Sequence, residues 1–135
     1  MLAPDTHVLI WLINGDAKLG PLIRDRIEDS GQTDEVLLPV AVFWEIAMLI
    51  INRRLELASP IDSWAHDVVA RPGLVVAPLT LEIAIESNAL PGKFYGDLAD
   101  RMIVATSRGS NAILVTRDRD IIRYAEAGHV SVLAA

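Results

Sequence analysis

The chain has 135 residues, a length that fits one domain of about 100–200 residues and buries enough surface to fold without cross-links. It has no cysteine, which excludes disulfides, thiolate zinc sites, iron–sulfur clusters and cysteine nucleophiles. Its formal charge is −6, from 18 acidic and 12 basic residues, so contact with nucleic acid has to run through local arginines or a bound cation.

In chain order, a first strand is expected from near Met1 to about Asp5, short because Pro4 cannot donate to a ladder. The start lacks the basic and apolar regions of a secretion signal. The longest apolar run covers 36–51 and contains Pro39 and Glu45. It is shorter than the roughly 20 residues of a membrane span, so it reads as a strand over 36–38 followed by a buried helix. Arg53 and Arg54 end that helix, where positive charge complements the dipole.

Ser59, Pro60 and Asp62 predict the next helix, with a serine cap, proline at the first position and an acid at the third. A strand follows over 74–77. Thr80 caps a helix expected over 81–90, with Glu82 in its first turn. Asp97 opens a helix to about Arg108, stopped at Gly109. After a strand over 112–115, a helix runs over 119–127 and is closed by Gly128. A last strand covers 130–133. Alternating strands and helices, with no linker or repeat, predict an α/β fold in one domain over 1–135: a three-layer α/β/α sandwich on a mostly parallel central sheet.

Ligands of such sheets bind outside the carboxyl ends of the strands. Asp5 follows the first strand, Glu45 lies early in the helix after the second, Asp97 and Asp100 open the helix before the fourth, and Asp118 follows the fourth. Four segments thus deliver carboxylates to one rim. Each acid has a plain structural use as well. Asp5 and Asp97 suit helix caps, Asp100 suits the third position of a capping box, and Asp118 suits a turn. Glu45 can turn to solvent on its helix. Gathered together, these carboxylates repel one another unless a cation neutralises them. With no thiol and three scattered histidines, Mg²⁺ or Mn²⁺ is the natural occupant, and the chemistry is phosphodiester hydrolysis.

The stretches Asp5-Thr6-His7-Val8-Leu9-Ile10-Trp11, Phe43-Trp44-Glu45-Ile46-Ala47, Asp97-Leu98-Ala99-Asp100-Arg101-Met102-Ile103 and Leu114-Val115-Thr116-Arg117-Asp118 resemble the PIN domain, and more closely the VapC-type toxins of bacterial toxin–antitoxin pairs. The resemblance spans essentially the whole chain. It implies a Mg²⁺- or Mn²⁺-dependent endoribonuclease, an RNA substrate and a cognate antitoxin that inhibits it. Asp5, Glu45, Asp100 and Asp118 match the family's catalytic, metal-binding quartet, and Asp97 matches an additional acid. Thr6 and Thr116 match hydroxyls that hold carboxylates or water in place. Where members often carry His-x-Asp-Pro, this chain has Tyr95-Gly96-Asp97-Leu98.

Arg101 and Arg117, each beside a candidate ligand, are expected to position RNA phosphate, with surface ion pairing as their plain alternative. His7 is expected to pack, and no phosphate-cradling glycine loop or serine-nucleophile elbow is present. Trp11, Leu12, Ile13, Ile46, Leu49 and Ile50 form an apolar excess for which the core, a homodimer interface and an antitoxin groove are all plausible sinks. The chain is expected in the cytoplasm, with no membrane partner. Two other functions stay open: a catalytically silent PIN-like binding module, and a Toprim-like phosphotransfer domain built on Asp118 and Asp120. The second wants a glutamate where Asp5 stands.

Overall fold

The computed structural model describes residues 1–135. Strand β1 (Leu2–Pro4) occupies the middle of a five-stranded sheet in the order β3-β2-β1-β4-β5. Its partners are β2 (Val36–Pro39), β3 (Leu74–Ala77), β4 (Ile113–Thr116) and β5 (Val132–Ala134), and every pairing is parallel. Seven helices connect them: α1 (Thr6–Asn14), α2 (Pro21–Thr33), α3 (Val40–Ile51), α4 (Ile61–Val69), α5 (Leu81–Glu86), α6 (Leu98–Gly109) and α7 (Arg119–Glu126). The expected α/β/α class and parallel sheet are therefore present. No helix is long and apolar enough to cross a membrane.

A proline in a central strand needs an explanation. Asp5 donates its N–H to the Val115 carbonyl, so odd residues of β1 face β4 and even ones face β2. Pro4 thus turns its missing donor toward β2, so the β1–β2 ladder stops at Leu2 and Val36 while the β1–β4 ladder runs on through Pro4 and Val115. Pairing outward from β1 also runs in opposite senses, to β2 and β3 on one side and to β4 and β5 on the other. Such a reversal opens a crevice at the carboxyl edge, where helices begin.

Two helix boundaries differ from expectation, the last strand covers Val132–Ala134 where 130–133 was expected, and one helix was not expected at all. Helix α4 starts after Pro60, whose extended backbone takes the cap position without a side-chain bond. The Ser59 hydroxyl is one residue too early to cap. Helix α5 stops at Glu86, where the Ser87 hydroxyl donates to the Ala84 carbonyl, the next N–H groups make tighter bonds, Asn88 to the Ile85 carbonyl and Ala89 to the Glu86 carbonyl, and Pro91 lies ahead. Helix α2 has a weak apolar pattern, with only Ile27 buried. It is fixed by Arg24, whose guanidinium donates to the carbonyls of Leu12, Trp11 and Asp16 at 3.0, 3.3 and 2.9 Å. One side chain thus satisfies the open end of α1 and docks α2 against it.

The core joins Val8, Leu9, Leu38, Val42, Ile46, Ile103, Leu114 and Ile121, all buried to within 1%. Glu45 is preceded by half-buried Phe43 and exposed Trp44 and followed by buried Ile46, so the apolar face of α3 anchors the helix while Glu45 stands at its edge.

Candidate active site

Three helices begin at the carboxyl edge with an aspartate cap. Asp5 Oδ1 accepts from the Val8 N–H at 3.0 Å, Asp97 Oδ1 from the Asp100 N–H at 3.0 Å, and Asp118 Oδ1 from the N–H groups of Asp120 and Ile121 at 2.8 and 3.2 Å. A carboxylate has two oxygens, so capping and a role in the site do not compete. Each cap commits one oxygen to its helix. The other is positioned by that commitment, at the positive end of the helix dipole. Asp5 is held at both ends, because its Oδ2 accepts from the Thr116 hydroxyl. That hydroxyl also accepts from the Asp118 N–H at 3.0 Å, tying the first and last acids together.

Between these helices lies a cleft of about 490 Å³, lined by Asp5, Thr6, Glu45, Asp97, Asp100 and Asp118, with His7, Trp11, Met48, Leu49, Ile103, Arg54 and Arg117 completing the walls. Carboxylate oxygens of Glu45, Asp97 and Asp100 all lie within 4.8 Å of one another. The tightest group therefore includes Asp97, expected only as an additional acid, while Asp5 and Asp118 stand around it. Gly96 makes this approach possible. A Cβ there would meet the Asp100 Cβ at 2.8 Å and the Phe94 ring at 2.5 Å.

Not every expected residue arrives. Arg101 does not line the cleft; its guanidinium turns to the Gly96 carbonyl, and its Nε is buried without a partner. Arg117 lines the wall but is anchored. It donates to the Ala135 and Lys18 carbonyls and lies 4.5 Å from the Trp11 ring centre. His7 and Arg54 reach the cleft although the sequence pointed to packing and to dipole compensation for them. Asp120, the second acid of the Toprim-like alternative, is exposed and does not line it.

The acids pay an electrostatic penalty. Burial pushes the Asp5 carboxyl above its ordinary value, and hydrogen bonds from Thr116 and Val8 offset part of this. Burial also raises Glu45, with the charges of Asp97 and Asp5 adding to it and the nearby Thr6 hydroxyl opposing. Asp100 is pushed up to about 7, by burial first and then by the charges of Asp97, Asp118 and Glu45. The buried Thr6 hydroxyl faces Glu45 without forming a hydrogen bond of full geometry. An all-oxygen donor set and the mutual repulsion of its carboxylates fit a hard divalent cation.

The sign of the pH dependence follows. Asp5, Asp100 and Glu45 hold protons more tightly folded than unfolded, where their ordinary values are 3.8, 3.8 and 4.5. The folded state therefore binds more protons above those values, and the stability of the metal-free protein falls as pH rises. Its melting temperature is expected to lose this contribution from about pH 4 to about pH 8 and then level off, with a shallower drop for Asp100→Asn. Thermal scans in chelator across that range check this. Equal slopes for both proteins would refute it.

A PIN domain model matches residues 2–127. Ribonuclease VapC22 of Mycobacterium tuberculosis is 31% identical over 128 residues, covering 95% of both chains. Among solved structures, a chain of VapBC2 from Rickettsia felis, bound to a DNA fragment from their promoter, superposes with a TM-score of 0.69 at 15% identity, covering 99% of this chain and 98% of that one. A chain of DNA-bound VapBC from Salmonella typhimurium gives 0.69 at 18% identity, covering 98% and 96%. At those identities the two structures establish the fold.

Proposed function

The chain belongs to the PIN domain family, and from that premise we propose that it is a Mg²⁺- or Mn²⁺-dependent endoribonuclease, the toxin of a toxin–antitoxin pair held inactive by a cognate antitoxin. The observation that carries this reading is the convergence of five carboxylates on one cleft in a chain 31% identical to a named ribonuclease. Asp5, Glu45, Asp100 and Asp118 are the proposed catalytic metal ligands over a single domain spanning 1–135. Asp97 holds the start of α6 and adds charge to the group. A divalent cation bound there supplies Lewis-acid stabilisation of phosphoryl oxygens and a more acidic water for in-line attack.

The side chains prepare this chemistry. Thr116 and the Val8 N–H fix both oxygens of Asp5, so that carboxylate does not need to reorganise when RNA arrives. Glu45 enters no ion pair and keeps its charge for the cleft. Asp100, its carboxyl pushed up to about 7, would release its proton on binding a cation. A silent binding module has no use for this strained arrangement.

The partners proposed are RNA, the antitoxin and a second copy of the chain, in the cytoplasm. Trp44 of α3, Leu81 and Ile85 of α5 and Leu98 of α6 are exposed at 47, 72, 62 and 45%, and α3 and α5 both pack on α6. Exposed apolar side chains on three packed helices suit a homodimer. Ile85→Asp is expected to shift the protein from dimer to monomer while leaving its fold intact, as light scattering after gel filtration reads. A wild type that is monomeric at all concentrations would end the dimer proposal.

The function itself is tested by mapping RNA 5′ ends in cells after brief induction of wild type or Asp5→Asn. New ends are expected with the wild type alone, and co-expression of the antitoxin should suppress them. Identical end maps for both proteins would refute the reading.

A further inference from the structure

Two arginines line the cleft, Arg54 and Arg117, and their side chains differ in freedom. Arg117 spends donors on the Ala135 and Lys18 carbonyls and stacks on Trp11. Arg54 is exposed and enters none of the molecule's three ion pairs, although five carboxylates line the same cleft.

The turn that follows α3 dictates where Arg54 goes. The Arg53 N–H returns to the Ile50 carbonyl at 3.0 Å and the Arg54 N–H to the Leu49 carbonyl at 2.8 Å. Those two bonds define a Schellman closure, whose left-handed position is normally glycine. Here it is Arg53, at φ 56°, a conformation that costs a side chain steric energy. In this motif the residue after the left-handed position commonly packs an apolar side chain over the last helical turn. Arg54 takes that place, and it lines the cleft together with Leu49. The closure thus commits a permanent cation to the cleft wall, where an apolar residue would normally cover the helix end.

A free guanidinium beside a carboxylate floor has a natural counterpart in a phosphodiester, whose oxygens match its fork. We propose that Arg54 is a phosphate-binding residue, holding a backbone phosphate that flanks the scissile one in a bound RNA strand. The inference rests on the reading of the cleft as an RNA-cleaving site. It gives an acidic protein of net charge −6 a local cation for its anionic substrate.

The test is the salt dependence of binding of a fluorescein-labelled, random-sequence single-stranded RNA, measured by anisotropy with Ca²⁺ in place of Mg²⁺ to suppress turnover. Arg54→Ala is expected to weaken binding roughly tenfold. It should also reduce the slope of log affinity against log salt by about 0.7, the value of one phosphate contact on a single strand. Arg54→Lys should keep the slope, and both variants should keep the wild-type melting temperature. A wild type that binds and cleaves RNA, with Arg54→Ala matching its affinity and slope, would overturn this inference and leave the activity standing. A wild type that neither binds nor cleaves RNA would overturn both.

Discussion

Asp100→Asn is expected to lower RNA cleavage by about a thousandfold or more, the effect of losing several kcal/mol of charge stabilisation at the reacting phosphoryl group. Burial first, and then the charges of Asp97, Asp118 and Glu45, raise the Asp100 carboxyl to about 7. Asparagine keeps the shape and removes the charge. Asp97→Asn should cost only about 10–100-fold, the usual effect of a supporting group around a metal. Asparagine caps a helix as well as aspartate does, and the Oδ1 bond to the Asp100 N–H survives the change. Single-turnover cleavage rates with both variants folded, shown by circular dichroism, decide the point. Equal losses would mean that Asp97 ligates the metal as fully as Asp100, which its place within the 4.8 Å group makes the sharpest rival.

Glu45→Gln should abolish cleavage yet leave the melting temperature of the metal-free protein unchanged or higher. A half-buried glutamate paired with an arginine would orphan its partner when neutralised, and breaking such a pair costs about 3–5 kcal/mol if buried. Glu45 has no such partner; burial and the charges of Asp97 and Asp5 oppose its ionisation. Removing the charge relieves the metal-free state. With saturating Mn²⁺ the order inverts, because the wild type gains more binding free energy than the variant. Melting curves of both proteins in EDTA and in Mn²⁺ show it directly. A fall of roughly 10 °C in the metal-free variant would make Glu45 a structural partner.

Much of this site was legible in the sequence because helix starts carry a chemical signature. Asp5, Asp97 and Asp118 had to sit at the carboxyl edge, since a cap must precede its helix and these helices begin there. The choice between cap and ligand could not be made from sequence. In the structure all three cap their helices through one oxygen, which leaves the second available to the cleft for Asp97 and Asp118 and tied to Thr116 for Asp5. Arg54 was illegible for a different reason. Its position depends on a left-handed residue, and Arg53 stands where glycine would have announced the turn. Arg101 failed in the opposite sense: adjacency to Asp100 placed it near the cleft in sequence, but one step along a helix turns a side chain by about 100°. Helix α2 escaped because a single buried residue, Ile27, gives no periodicity, and Arg24 supplies tertiary contacts in its place.

The central claim is that the carboxylate cleft hydrolyses RNA only when it holds a divalent cation. Cleavage of labelled RNA by the purified protein, freed of antitoxin, tests it in one titration. Activity should vanish in EDTA and return as Mg²⁺ or Mn²⁺ is added past the chelator, while Asp100→Asn stays inactive throughout. Cleavage that persists undiminished in excess chelator, or that Asp100→Asn retains, would contradict the account.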